Sequence, residues 1–402
     1  MGWVIGISLA ISVFLTLVDY QVQNNSFPLF DDSALMAWVD LLCEEKMDVK
    51  KDFFDEGDVT YVNFGKDKSL VPVVDEYNDT VGNDVITDRE KLLEFLELAN
   101  KAKYKYIFLD VRFEKGYETP YDSALFGLIK TMPRLIVATH RGDGGYEIID
   151  SALLDKSAYA DYRGTFFSGF TRYEFLQDGY RSVALQMYHD IDGKDIHKGR
   201  LGFTTSKGWP CYNLKFIPLP YYLCTGKSEA LDDSITFIEE VRYKNVGCVV
   251  LDRDYYTEDD VFNFLLNDKI VVVGDFDDDL HGTYVGEVPG PILSLAAYKY
   301  LKNGLHELSL WYVILLLLIY FLISFFTIIS LGHVANFLEN RPVLHCFIAL
   351  LGLPFFFLIL KVFLYRVFLI SMVVFVPTIA FWILTTLSFI QFEKHNNKKI
   401  SK

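Results

Sequence analysis

The residues best suited to chemistry form one tight run, Gly274-Asp275-Phe276-Asp277-Asp278-Asp279-Leu280-His281-Gly282, directly behind the apolar segment IVVVG. Ligands of open α/β sheets bind beyond the carboxyl ends of strands, and clustered carboxylates there can hold a hard cation such as calcium. Asp275, Asp277 and Asp279 are therefore candidate metal ligands, although their order is not that of an EF-hand loop and Asp is also an ordinary turn former. A second candidate is Asp110 at the end of YIFLDV, with Arg112 and Glu114 behind it. Its carboxylate can face a ligand crevice, pair with Arg112 or cap a helix. A third is His140 in His140-Arg141-Gly142-Asp143-Gly144-Gly145, whose glycines permit an anion-binding nest but lack the G-x-G-x-x-G order. No G-x-S-x-G elbow, Walker lysine loop or H-E-x-x-H helix occurs, so no catalytic residue and no cofactor is assigned. Cys211 and Cys224 are the only cysteines close in sequence, and no metal-ligand spacing is present. In an oxidising compartment they can close a disulfide loop worth roughly 3 kcal/mol; otherwise they are buried thiols.

The elements that must position these residues alternate. Asp58–Phe64 reads as a strand, and Thr87 with Glu90 has capping-box spacing before a helix over 88–102. Tyr106–Val111 and Arg134–Thr139 are short apolar runs of the kind buried in a parallel sheet, with a helix from Thr119-Pro120 to about Lys130 between them. Ile235–Val241, Val246–Leu251 and Ile270–Gly274 read as further strands, and Thr257 starts a helix to about Asn267. Residues 140–232 are rich in Gly, Tyr and Asp and predict an antiparallel insertion or a sheet extension, with one helix near Val183–His189. The fold class expected is a layered, Rossmann-like α/β domain with a mostly parallel sheet.

Apolar runs frame this domain. Trp3–Val18 lacks the basic start of a cleaved signal and reads as an anchor, while Leu308–Leu331, Val343–Leu360 and Val367–Phe392 predict three further membrane helices. Pro354 and Pro377 lie inside the last two, where they favour kinks. Four lysines in the tail place the C-terminus in the cytoplasm and the large domain outside. Lys361 and Arg366 count the other way, but long basic side chains at helix ends can snorkel to the interface. The expected organisation is an anchor over 1–19, an extracytoplasmic α/β domain over 20–306, a membrane region over 307–392 and a basic tail over 393–402. The net charge is −15; residues 307–402 carry seven Lys/Arg against three Glu, so the excess of acid lies in 1–306. An acidic ectodomain repels phosphate backbones, which excludes nucleic acid as a partner.

Several stretches together resemble the second type of the CHASE domain family. YIFLDVRFE is similar to that family's acidic strand, and TPYDSALFGLIKTMPRLIVATH to its helix and following strand. Gly169 with Asp178-Gly179-Tyr180-Arg181 resembles its glycine-rich turn, and IVVVGDFDDDLHGTYVGEVPGPILSLAAYKYLKNG resembles the tail leading into three membrane helices. The full asparagine signature of the turn is missing, and His281-Gly282-Thr283-Tyr284 lacks the family's proline. The resemblance carries over to Asp110, Asp178, Gly179, Arg181, Gly274, Asp275, Thr283, Pro289 and Gly290, and implies a sensor in a bacterial inner membrane whose ligand is unknown. Asp110, Arg112, His140, Arg181 and Asp275 become the candidate ligand-binding residues. No cyclase or kinase module follows the last helix, so the expectation is a non-enzymatic receptor in the lipid bilayer. It would signal to a separate cytoplasmic effector and could form a homo-oligomer. The alternatives are a structural subunit of an envelope complex and a metal-dependent ectoenzyme at the Asp275–Asp279 cluster.

Overall fold

A computed structural model of the chain describes residues 2–24, 58–74, 77, 79–114, 116–140, 150–164, 170–217, 219, 243–245, 266–284, 286–339 and 359. The chain divides into two compact units: one comprises 46–208 and 215–306, the other 1–45, 209–214 and 307–402.

The larger unit is built on a six-stranded sheet whose order is Tyr243–Asn245, Val59–Asn63, Ile270–Gly274, Tyr106–Asp110, Leu135–Thr139, Ser157–Tyr159. Every pairing in it is parallel. The reason is visible in Ile270–Val273 and Tyr106–Leu109, where all side chains are buried. Strands covered on both faces lose the polar alternation of a half-exposed sheet, and burying each large apolar side chain contributes about 2 kcal/mol. Alternate residues face opposite ways. Ile107, Leu109, Val271 and Val273 pack with Leu92, Phe95, Leu96, Leu125 and Ile129 of helices Arg89–Ala99 and Asp122–Thr131. On the other face lie helices Val183–Asp192 and Gly290–Lys302, tied by the Tyr106 hydroxyl donating to Asp190 at 2.6 Å and the Tyr298 hydroxyl to Asp192 at 3.2 Å.

Local signals explain the boundaries and the departures from expectation. The first helix is capped by Asp88, which accepts from the Lys91 amide at 3.1 Å, and not by Thr87. Thr87 is instead the last residue of strand Thr80–Thr87, which pairs with Lys68–Val74 in an antiparallel hairpin absent from the sequence reading. The second helix begins at Asp122, two residues later than its proline suggested, because Asp122 folds back to accept from the Thr119 hydroxyl and amide, both at 2.9 Å. Helix Val183–Asp192 is capped by Ser182 and stopped by Gly193, whose φ of 66° is the left-handed conformation that glycine tolerates. The described part of 140–232 does both things expected of it: Ser157–Tyr159 extends the parallel sheet, and short antiparallel pairs form at 176–177 with 180–181 and 196–198 with 203–205. Strands expected at 235–241 and 246–251 and the helix from Thr257 lie outside the described residues; the strand found there is Tyr243–Asn245.

In the smaller unit, helix Gly2–Asn24 lies along helix Leu310–Glu339, with Ser12 Oγ donating to the Leu317 carbonyl at 2.6 Å. Gln23 Nε2 donates to Asp19 at 2.7 Å and to the Tyr312 hydroxyl at 3.0 Å, all three side chains being buried. Gly2–Asn24 is long and apolar enough to cross a membrane, a composition it shares with signal sequences. In the second helix the apolar stretch is Leu310–Phe325, shorter than a full span among the described residues. The third and fourth apolar runs and the basic tail lie outside the described residues, apart from Ile359. Cys211 is a buried free thiol, pushed up to about 12 by burial and the nearby Glu307, and Cys224 is outside the described residues.

Candidate functional site

Because the strands run parallel, their carboxyl ends share one edge, and register places Asn63, Gly274 and Asp110 side by side on it. Gly274 is required there: a Cβ would lie 2.5 Å from Pro291 Cγ and 3.3 Å from Asp110 Cβ. The acidic loop leaves from this glycine. Asp275 accepts from the amides of Asp277 and Asp278 at 3.0 and 2.8 Å and is paired with Lys68, delivered by the hairpin. Burial raises the Asp275 carboxyl, but the Lys68 ammonium and the two amides overcome this and hold it below its ordinary value. Asn63 clamps the loop, donating to Asp277 at 3.0 Å and accepting from the amides of Gly65 at 2.8 Å and Phe276 at 3.1 Å. Asp279 pairs with His281 Nε2 at 3.0 Å, and His281 Nδ1 meets the Tyr162 hydroxyl at 2.7 Å.

The three carboxylates expected to share a cation thus turn to three different partners. Among the described residues no group of three or more His, Cys, Asp or Glu side chains is placed to hold a metal ion.

A cleft of about 430 Å³ opens over this edge. It is lined by Asp110, Asp275 and Asp279, by Thr139 and His140, and by Lys68, Asp84 and Thr87 of the hairpin. Burial and the neighbouring Asp279 charge push the Asp110 carboxyl up to about 7, against the opposite pull of His140 and His281. His140 is raised by its 2.9 Å contact with Asp161, despite the opposing cost of burial. Arg112 is paired with Glu114 at 2.6 Å. Its carbonyl accepts from the buried Arg89, whose guanidinium lies 4.1 Å from the Phe113 ring centre and fixes the loop behind Asp110.

Of the sequence candidates, Asp110, Arg112, His140 and Asp275 meet in this cleft. Arg181 does not: it is bound to Asp195 and Gln186 and lines a separate surface groove of about 710 Å³ beside Ser157–Tyr159. Sequence reading missed Lys68, Asp84 and Thr139. The first two belong to the hairpin, whose signal is the β-rich LVPVV followed by a polar turn; Thr139 is the last residue of a strand that was otherwise recognised. No protein family, curated protein or solved structure matches the chain.

Proposed function

We propose that this chain is a membrane-anchored, non-enzymatic sensor of a bacterial inner membrane. Its α/β domain binds a small polar ligand outside the cytoplasm, and its membrane helices pass a rearrangement to a cytoplasmic effector. The observation that carries the reading is the cleft at the carboxyl edge of the parallel sheet, where polar groups from five separate segments converge; this is where ligands of open α/β sheets bind. A physical route out of the cleft supports it. The Gly290 amide donates to the Asp279 carbonyl at 2.9 Å, so helix Gly290–Lys302 starts at the cleft wall, and seven residues separate its end from helix Leu310–Glu339. A ligand that prefers one position of the Asp279 loop biases that helix, as differential affinity for two states requires. The apolar runs and the lysine-rich tail support the four-helix topology with the domain outside.

Two measurements test this reading. Tyr77, 77% exposed at the hairpin turn, replaced by Cys should react with a membrane-impermeant maleimide in spheroplasts; reaction only after lysis places the domain inside. In detergent, thermal-shift screening of the full chain against a small-metabolite library should yield hits that Asp110→Ala abolishes. Hits indifferent to that substitution would move the ligand elsewhere.

A further inference from the structure

The cleft is unbalanced in charge. Asp84, Asp110, Glu114, Asp275 and Asp279 line it against Lys68, Arg112 and His140. Each of those basic groups is already engaged: Lys68 by Asp275, Arg112 by Glu114 and His140 by Asp161. None is left to receive an anionic ligand without first breaking an ion pair. On the acidic side, Asp110 has no hydrogen-bond partner among the described residues, and the charge that acts on it most is a second carboxylate, Asp279, which meets His281 Nε2 through one oxygen at 3.0 Å and keeps its other oxygen for a further donor. Burial beside a second carboxylate disfavours the ionised form of Asp110, and a cation seated between the two favours it. An independent polar group lines the same cleft. Thr139 is 3% exposed and its hydroxyl has no hydrogen-bond partner among the described residues, a cost that a ligand group can relieve.

Resting on the sensor reading above, we propose that the ligand of this cleft is a small organic amine, its ammonium held between Asp110 and Asp279 and a polar group of its body meeting Thr139. An ammonium has up to three donors, which suits two carboxylates, one at the end of strand Tyr106–Asp110 and one in the acidic loop behind Gly274. A volume of about 430 Å³ admits an aliphatic diamine or amino alcohol with room for water. A divalent metal is the poorer occupant, since Asp275 and Asp277 are tied to Lys68 and Asn63.

Calorimetric titration of the full-length protein in detergent, with ethanolamine, 1,4-diaminobutane and spermidine as probes and 1,4-butanediol as the neutral control, tests this. At least one amine should bind saturably and the diol should not. Asp110→Asn and Asp279→Asn should each weaken that binding at least tenfold. Thr139→Val, which keeps the shape of the wall, should weaken it severalfold, and Asp268→Asn, an exposed carboxylate outside the cleft, should leave it unchanged. Equal loss in Asp268→Asn would reduce the effect to general attraction by an acidic protein and overturn the proposal. So would unchanged binding in Asp110→Asn with an unaltered unfolding temperature. If the amines fail while a neutral or anionic metabolite binds and Thr139→Val weakens it, the sensor reading stands and the amine assignment falls; if nothing binds, both fall.

Discussion

His306 shows how a single side chain can make stability depend on pH. It is fully buried, neither ring nitrogen has a hydrogen-bond partner among the described residues, and the rings of Tyr188 and Phe175 lie against it at 5.5 and 6.5 Å. Burial, with Lys194 nearby, pulls it down to about 4, so the imidazole is held neutral. The unfolded chain, with an ordinary histidine near 6.5, therefore binds the proton first as pH falls. Stability is fully present above that value and is lost progressively between pH 6.5 and 4, by up to about 3 kcal/mol. Denaturant unfolding at pH 7 and pH 4.5 should show this loss, and His306→Phe should remove most of it; an equal loss in the variant would assign it to other groups. None of this is legible in the sequence, where His306 is one polar residue before an apolar run. The same holds for the cleft: Asp110 was recognisable as the last residue of YIFLD, but its close approach to Gly274, which leaves no room for a Cβ there, joins residues remote in the chain.

The elements that announced themselves were those whose burial is continuous or whose ends carry caps. Strands Tyr106–Asp110, Leu135–Thr139 and Ile270–Gly274 follow from unbroken apolar runs, and helix Arg89–Ala99 from its periodicity. The hairpin Lys68–Val74 with Thr80–Thr87 was hidden, because one face buries Val71 and Ile86 while Leu70, Val81 and Val85 on the other stay more than half exposed. Such a strand pair has no clean alternation, so pattern reading passes over it. Ser157–Tyr159 was missed for a different reason: three residues are too few to show any period. In the smaller unit, Val4, Ser8 and Ser12 line the buried side of helix Gly2–Asn24 at four-residue spacing, and small residues there let two helices approach closely. Ser12→Ile should overpack this seam and cost about 1–3 kcal/mol, whereas Ser12→Ala, which loses only the hydrogen bond to Leu317, should cost about 0.6 kcal/mol. Thermal unfolding in detergent distinguishes them, and tolerance of the isoleucine would argue against the helix pairing.

At the scale of the whole molecule, a ligand that binds only the folded domain must stabilise it by mass action. At a hundred times its dissociation constant the gain is about 2.7 kcal/mol, so the unfolding temperature should rise with ligand concentration and reach no plateau at site saturation. Stabilisation that stopped rising once the site was filled would point to binding by the unfolded chain as well. The sequence by itself determined the chemical partition of the chain: apolar stretches, an acidic domain and alternating strand and helix segments, because hydropathy and periodicity are local properties of consecutive residues. It also located Asp110, His140 and Asp275 at strand ends. Only the tertiary structure decided that these three share a cleft with Lys68 and Asp279, that Arg181 belongs elsewhere, and that the three aspartates of the acidic loop turn to separate partners. Strand order is the physical reason: placing Ile270–Gly274 between Val59–Asn63 and Tyr106–Asp110 joins segments more than 150 residues apart, and that choice is made by long-range packing.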